Sequence, residues 1–136
     1  MARVRDFMSK DIVSVSPQTD LSEAARLMKQ HDVGILPVVE RDSLRGVVTD
    51  RDIVVKGLAE GRPAATVSEV MSQKVVSLSP EDDEKDARRL MSDNDVRRLP
   101  VCQDDRLIGM VSVGDLAVRT DERHAGEVME KTGPPA

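Results

Sequence analysis

Apolar and polar positions along the chain switch between two periods, and the switches mark out the elements. Val4–Met8 reads as a short helical turn. Ile12–Val15 is β-branched and apolar, a short strand closed by Pro17. Asp20 is placed to cap a helix, with Glu23 three residues on. Leu21, Ala24, Ala25 and Met28 then fall at i, i+3, i+4 and i+7, one apolar helix face, with Gly34 just beyond it. Ile35–Val39 and Leu44–Val48 are two further apolar runs around the polar turn Glu40–Ser43, which predicts a hairpin. Asp50–Leu58, with Ile53, Val54 and Leu58 apolar, is a second helix. The order is strand, helix, strand, strand, helix. A strand reached from its neighbour through a helix pairs in parallel, with a right-handed crossover.

The same order returns in Val75–Leu78, Glu84–Asn94, Arg98–Gln103, Leu107–Val111 and Gly114–Arg119. Shifted by 63 positions, Met8–Ile53 matches Met71–Leu116 without a gap, with 21 identities in 46 positions. Repeats of this length are whole supersecondary units, and two copies can complete one another's core. The sequence therefore divides into a first repeat at 1–60, a linker at 61–66 where Gly61 and Pro63 break helix, a second repeat at 67–121, and a tail at 122–136. In that tail a short helix is expected over Glu122–Lys131, followed by a loose Gly133-Pro134-Pro135 end. The acidic start of the second long helix, Glu81 to Asp86, is a solvated N-terminus favoured by the helix dipole.

Composition narrows the function. At 136 residues the chain is one ordinary domain or two small units sharing a core. Charged residues at 33% and apolar residues at 39% suit a soluble globular protein. No apolar run approaches twenty residues, so no membrane span is expected. The start leads into no apolar stretch and predicts no secretory signal. A single cysteine, Cys102, excludes an internal disulfide framework and fits a reducing cytoplasm. The net charge of -5 argues against a general nucleic-acid binder. With Phe7 the sole aromatic residue, no aromatic platform is available for stacked bases. The core must be aliphatic.

The candidate chemistry sits where the third strand of each repeat ends. Gly46-Val47-Val48-Thr49-Asp50-Arg51-Asp52 is echoed by Gly109-Met110-Val111-Ser112-Val113-Gly114-Asp115. Thr49 and Ser112 can cap a new helix, with Asp52 and Asp115 in its first turn. A strand that ends in a helix N-terminus is a good place for an anion. An ionised aspartate accepts from the two donors of a ribose diol, and a base needs an apolar slot. Arg51 is the best placed cation for a phosphate. The same Thr-x-x-Asp spacing is also a plain helix cap. Asp50 and Arg51 can equally be solvated.

Met-Ser, Ser-Pro, Leu-Pro-Val and Gly-x-Val-Thr/Ser-x-x-Asp, in order and twice over at 8–9 and 71–72, 16–17 and 79–80, 36–38 and 99–101, 46–52 and 109–115, resemble a tandem pair of CBS (cystathionine-β-synthase) domains of the stand-alone bacterial and archaeal type. The resemblance runs from about Val4 to about Thr120. It implies an α/β (α+β) fold of two βαββα repeats packed sheet to sheet about a pseudo-two-fold axis. It also implies a homodimer of such pairs, and clefts between repeats that take adenosine-containing ligands such as AMP, ADP, ATP, NAD or S-adenosylmethionine. Carried over position by position, Thr49 and Ser112 would contact phosphate, and Asp52 and Asp115 the ribose. Ile35-Leu36-Pro37 and Arg98-Leu99-Pro100 would line the base pocket, with Val13-Ser14 and Val76-Ser77 as its other wall. Arg51 has Gly114 as its twin, Asp50 has Val113, and Gly34-Ile35 becomes Arg97-Arg98. Arg98 either occludes the base or supplies charge to a phosphate.

Catalytic and metal residues are not expected. No serine, cysteine or acid comes with a recognisable base, and His31 and His124 lie outside any ligand spacing. Cys102, the twin of Val39, reads as a small core residue. The expected function is that of a regulatory module binding an adenosine nucleotide and acting on a further protein target. The alternative is a scaffolding dimer that binds none.

Overall fold

The structure is a computed structural model, described here for residues 2–117. The expected tail helix and the end of the last helix lie outside the described residues. The fold is mixed α/β. Its elements are α1 (Val4–Phe7), α2 (Leu21–His31), β1 (Ile35–Glu40), β2 (Ser43–Thr49), α3 (Asp50–Asp52) running into a π-helix (Ile53–Leu58), α4 (Val67–Val70), α5 (Glu84–Asn94), β3 (Arg98–Gln103) and β4 (Arg106–Ser112). Residues 113–117 are helical.

The chain forms two compact units. The first comprises residues 12–75 with 104–107. The second comprises, among the described residues, 2–11, 76–103 and 108–117. In the first unit Val15, Leu21, Ala24, Met28, Leu36, Val38, Val48, Ile53, Val67 and Val70 share one aliphatic core. In the second, Val4 packs with Leu78, Ala87, Met91, Leu99, Val101, Val111 and Leu116. Helix α1, which opens the first repeat, thus contributes to the second unit's core, and α4, which opens the second repeat, contributes to the first unit's. Backbone bonds fix both placements: Val4 N–H donates to Asp82 O at 2.7 Å, and Val67 N–H to Thr19 O at 2.8 Å.

Local signals account for the long helices. Asp20 caps α2 by accepting from Glu23 N–H at 3.0 Å. Asp83 caps α5 by accepting from Asp86 N–H at 3.0 Å. Each helix ends on a left-handed aspartate, Asp32 and Asp95, so Gly34 is not the residue that reverses the chain. The hairpin β1–β2 is antiparallel and pairs Ile35 with Thr49. Its two turn residues, Arg41 and Asp42, both have positive φ, as do Asp104 and Asp105 in the twin loop, the geometry of a type I′ turn.

Two expectations need correction. Ile12–Val15 and Val75–Leu78 are not strands. Each makes one isolated parallel bridge, Val15 to Val38 and Leu78 to Val101. The parallel sense is as expected, but pairing stops at two hydrogen bonds per segment: Val15 N–H to Pro37 O and Val39 N–H to Val15 O, with the same pattern at Leu78. Pro17 and Pro80 lie two residues on and have no N–H to extend a ladder. The second helix is α-helical only for its first turn and then widens into a π-helix. Val54, Val55 and Gly57 are poor α-formers, and Gly57 is buried where a Cβ would stand 2.6 Å from Leu21 Cδ1.

Candidate functional site

In the first unit, β2 delivers Thr49 in an extended conformation directly before helix α3. Thr49 Oγ1 accepts from Asp52 N–H at 3.0 Å, and Asp52 Oδ2 accepts from Thr49 N–H at 2.9 Å. This reciprocal capping box ties hydroxyl and acid together. Asp50 N–H donates to Gly34 O at 3.0 Å, and Arg51 N–H donates to Asp50 Oδ1 at 2.8 Å. The first three N–H groups of the helix are therefore already occupied. What the site still offers is the Thr49 hydroxyl proton, the remaining lone pairs of the Asp52 carboxylate, and the exposed Arg51 guanidinium. Lys56 Nζ lies 3.2 Å from Asp52 Oδ1, and the acid is only 14% exposed.

The register brings the expected wall residues toward this end of the sheet. Ile35 pairs with Thr49, Leu36 with Val48 and Pro37 with Val47. Val15 bridges Val38, and Val13, two residues before it, packs against the core that holds Leu36. Leu36 and Pro37 are buried and Leu36 belongs to the core. Ile35 and Val13 are half-buried and Ser14 is exposed.

The second unit builds the same frame from different charges. Ser112 Oγ accepts from Asp115 N–H at 3.1 Å, and Asp115 Oδ2 accepts from Ser112 N–H at 2.8 Å. Val113 N–H donates to Arg97 O at 2.9 Å, as Asp50 does to Gly34. Leu99 and Pro100 are buried, Val76 and Arg98 half-buried, and Ser77 exposed. A Cβ on Gly34 would meet Asp50 Oδ2 at 3.1 Å. The twin pair is Arg97 with Val113, so a small residue faces the acid in one unit and a large one faces an apolar residue in the other. The first set carries Asp50, Arg51, Asp52 and Lys56, and their charges balance. Among the described residues the second carries Arg97 and Arg98 against Asp115.

Sequence reasoning missed Lys56 and the Gly34–Asp50 contact. The i,i+4 spacing of Asp52 and Lys56 was a usable signal. The Gly34–Asp50 contact joins residues on opposite sides of a hairpin and had none.

A cavity of about 470 Å³ in the first unit lies elsewhere, bounded by Ser14, Thr19, Glu23, Leu27 and Arg41. Of the expected site residues only Ser14 reaches it, and the Ser16 and Thr19 hydroxyls beside it bond each other at 3.2 Å. Cys102 is half-buried in β3, its N–H bonded to Leu78 O. Among the described residues no group of three His, Cys, Asp or Glu side chains could hold a metal ion, and no helix is long and apolar enough to cross a membrane.

Comparison with known proteins places this arrangement. The family model described as "CBS domain" matches residues 4–57 and again 67–120. The CBS domain-containing protein YhcV of Bacillus subtilis (strain 168) is 48% identical over 119 residues, covering 87% of this chain and 85% of YhcV. The crystal structure of Hypoxic Response Protein I with two coordinated zinc ions is similar at a TM-score of 0.78 and 35% identity, covering 88% of this chain and 99% of that one. CBSX2 in complex with AMP aligns at 0.79 and 28% identity, over 92% and 99% of the two chains. The CBS domain pair of MJ0100, in complex with 5-methylthioadenosine and S-adenosyl-L-methionine, aligns at 0.78 and 26% identity, over 90% and 98%.

Proposed function

The chain belongs to the CBS domain family, and on that premise we propose that it is a regulatory module that binds an adenosine nucleotide at Thr49–Asp52, acting by binding rather than catalysis. The observation that carries this reading is the capping box that occurs in both units. It fixes a hydroxyl and a carboxylate together at the end of a strand while leaving a donor proton and acceptor lone pairs unused. AMP in CBSX2 and 5-methylthioadenosine in MJ0100 share an adenosine moiety with a ribose diol, the group an acceptor-only carboxylate suits. Adenosine itself is matched to the first set, with its half-buried Ile35 wall and balanced charge. The two arginines of the second set favour ligands with more phosphate.

Asp52→Ala tests the reading. Losing a hydrogen bond to a charged group costs about 1.5–3 kcal/mol, so AMP binding should weaken by roughly 10- to 100-fold in calorimetry. Asp115→Ala should cost AMP affinity less. Wild type at about 100 times its dissociation constant should gain roughly 2.7 kcal/mol of stability and a clear upward thermal shift. No shift with AMP, ADP or ATP at millimolar concentration would leave the two caps as helix caps in a scaffold.

A further inference from the structure

Resting on that reading, we propose that Lys56 is the positioning residue of the site: it holds the Asp52 carboxylate in the orientation that accepts the ribose hydroxyls, without itself touching the ligand. Asp52 is anchored at both oxygens. Oδ2 takes the Thr49 N–H at 2.9 Å, and Oδ1 faces the Lys56 ammonium at 3.2 Å. The carbon–carboxylate torsion of aspartate is otherwise broad. Two anchors fix the carboxylate plane and so fix where the unused lone pairs point. At 14% exposure the acid has little water to orient it, and the ammonium supplies the opposing charge.

Lys56 is itself located by groups unrelated to a ligand. Its Nζ lies 3.4 Å from Val70 O, the last carbonyl of α4. The next residue, Gly57, is buried against Leu21 and Val70. The stem of Lys56 therefore leaves a turn that cannot shift without displacing the core. Beyond Val70, Ser72 is bonded in both directions to Val47 on β2, at 2.9 and 3.0 Å. The acid is thus held from its own helix and, through the lysine, from the segment paired to the strand that delivers Thr49.

The experiment uses the full chain in an Asp115→Ala background, so that the signal comes from Asp52, with three probes: AMP, adenosine and 2′,3′-dideoxyadenosine. Lys56→Met should weaken AMP and adenosine by the same factor, about 3- to 10-fold, and Lys56→Arg should restore most of the loss. With 2′,3′-dideoxyadenosine, which lacks both hydroxyls, wild type and Lys56→Met should bind alike. In an Asp52→Asn background Lys56→Met should cost nothing further. A loss for AMP but not adenosine would overturn the proposal in favour of direct phosphate contact. A loss that persists with the dideoxy ligand, or adds in full to Asp52→Asn, would reduce Lys56 to a scaffold residue. If Lys56→Met melts below the assay temperature, Lys56→Gln carries the same comparison. Failure of the parent protein to bind AMP or adenosine removes the binding site itself and the proposal with it, whereas binding with any of the other contrary patterns removes the proposal alone.

Discussion

Gly46 and Gly109 occupy twin positions in the two copies of the repeat, yet substituting each by alanine should have unequal consequences. A Cβ on Gly46 would stand 2.4 Å from Ser72 O and 3.3 Å from Met71 Sδ. The carbonyl belongs to the bridge in which Val47 N–H donates to Ser72 O at 3.0 Å and Ser72 N–H to Val47 O at 2.9 Å. Restoring even a tight contact requires a backbone retreat of about 0.6 Å or more, which stretches both bonds beyond their normal range. Two bonds at roughly 0.5–1.5 kcal/mol each, with roughly 1–3 kcal/mol of overpacking, are offset by about 0.4–1 kcal/mol from the stiffer unfolded chain. Gly46→Ala should therefore cost about 1–6 kcal/mol, centred near 3. A Cβ on Gly109 meets Met8 Sδ at 2.5 Å and Met8 Cγ at 2.9 Å, with the nearest backbone atom, Ser9 O, at 3.1 Å. A flexible methionine can swing aside, so Gly109→Ala should cost about 1 kcal/mol, near the low end for overpacking. Urea denaturation of both variants, read by far-ultraviolet circular dichroism, compares the two. Equal losses, or a larger loss at Gly109, would refute the reasoning.

Three other outcomes follow from the structure. Glu69 is held below its usual carboxylate range chiefly by the Thr66 N–H, and Asp83 chiefly by the Asp86 N–H. Both depressed values mean stability present above the unfolded pKa values, near 4.5 and 3.8, and lost as pH falls through the folded ones; carbon-detected titration should find both below those references, and Glu69→Gln with Asp83→Asn should flatten the acid limb of stability. Val54, Val55 and Leu58 are exposed at 54%, 43% and 55% on the π-helix; a dimer through this patch is the expected outcome in light scattering, with Leu58→Glu shifting it toward monomer. A fragment of residues 12–75 should retain cooperative melting, whereas residues 1–60, lacking Val67 and Val70 from the first core, should not.

Much of the fold was legible because its signals are local. The Asp20–Glu23 and Asp83–Asp86 caps, the apolar face of α2 and the polar hairpin loops each lie within a few residues. The pattern could not show that Ile12–Val15 would pair at a single residue, because β-branched composition does not count hydrogen bonds. Nor could it show the π-helix, since Ile53, Val54 and Leu58 suit either winding. The Thr49–Asp52 and Ser112–Asp115 boxes were readable from spacing alone. The exposure of Asp52, the hold of Lys56 and the crowding of Gly34 against Asp50 depend on how separate segments meet.

The placement of α1 has a consequence for biosynthesis. Val4 shares its core with Leu78 and Val111, so once synthesised it cannot meet all of its partners until more than a hundred further residues have followed it. At roughly 5–20 residues per second that is a delay of about 5–20 s. The 12–75 stretch, nearly continuous in sequence, can close in the meantime. Translation would then complete the two cores in order, with α1 kept waiting for its partners. In that interval Val4, which the finished protein buries completely, stays open to solvent on the nascent chain.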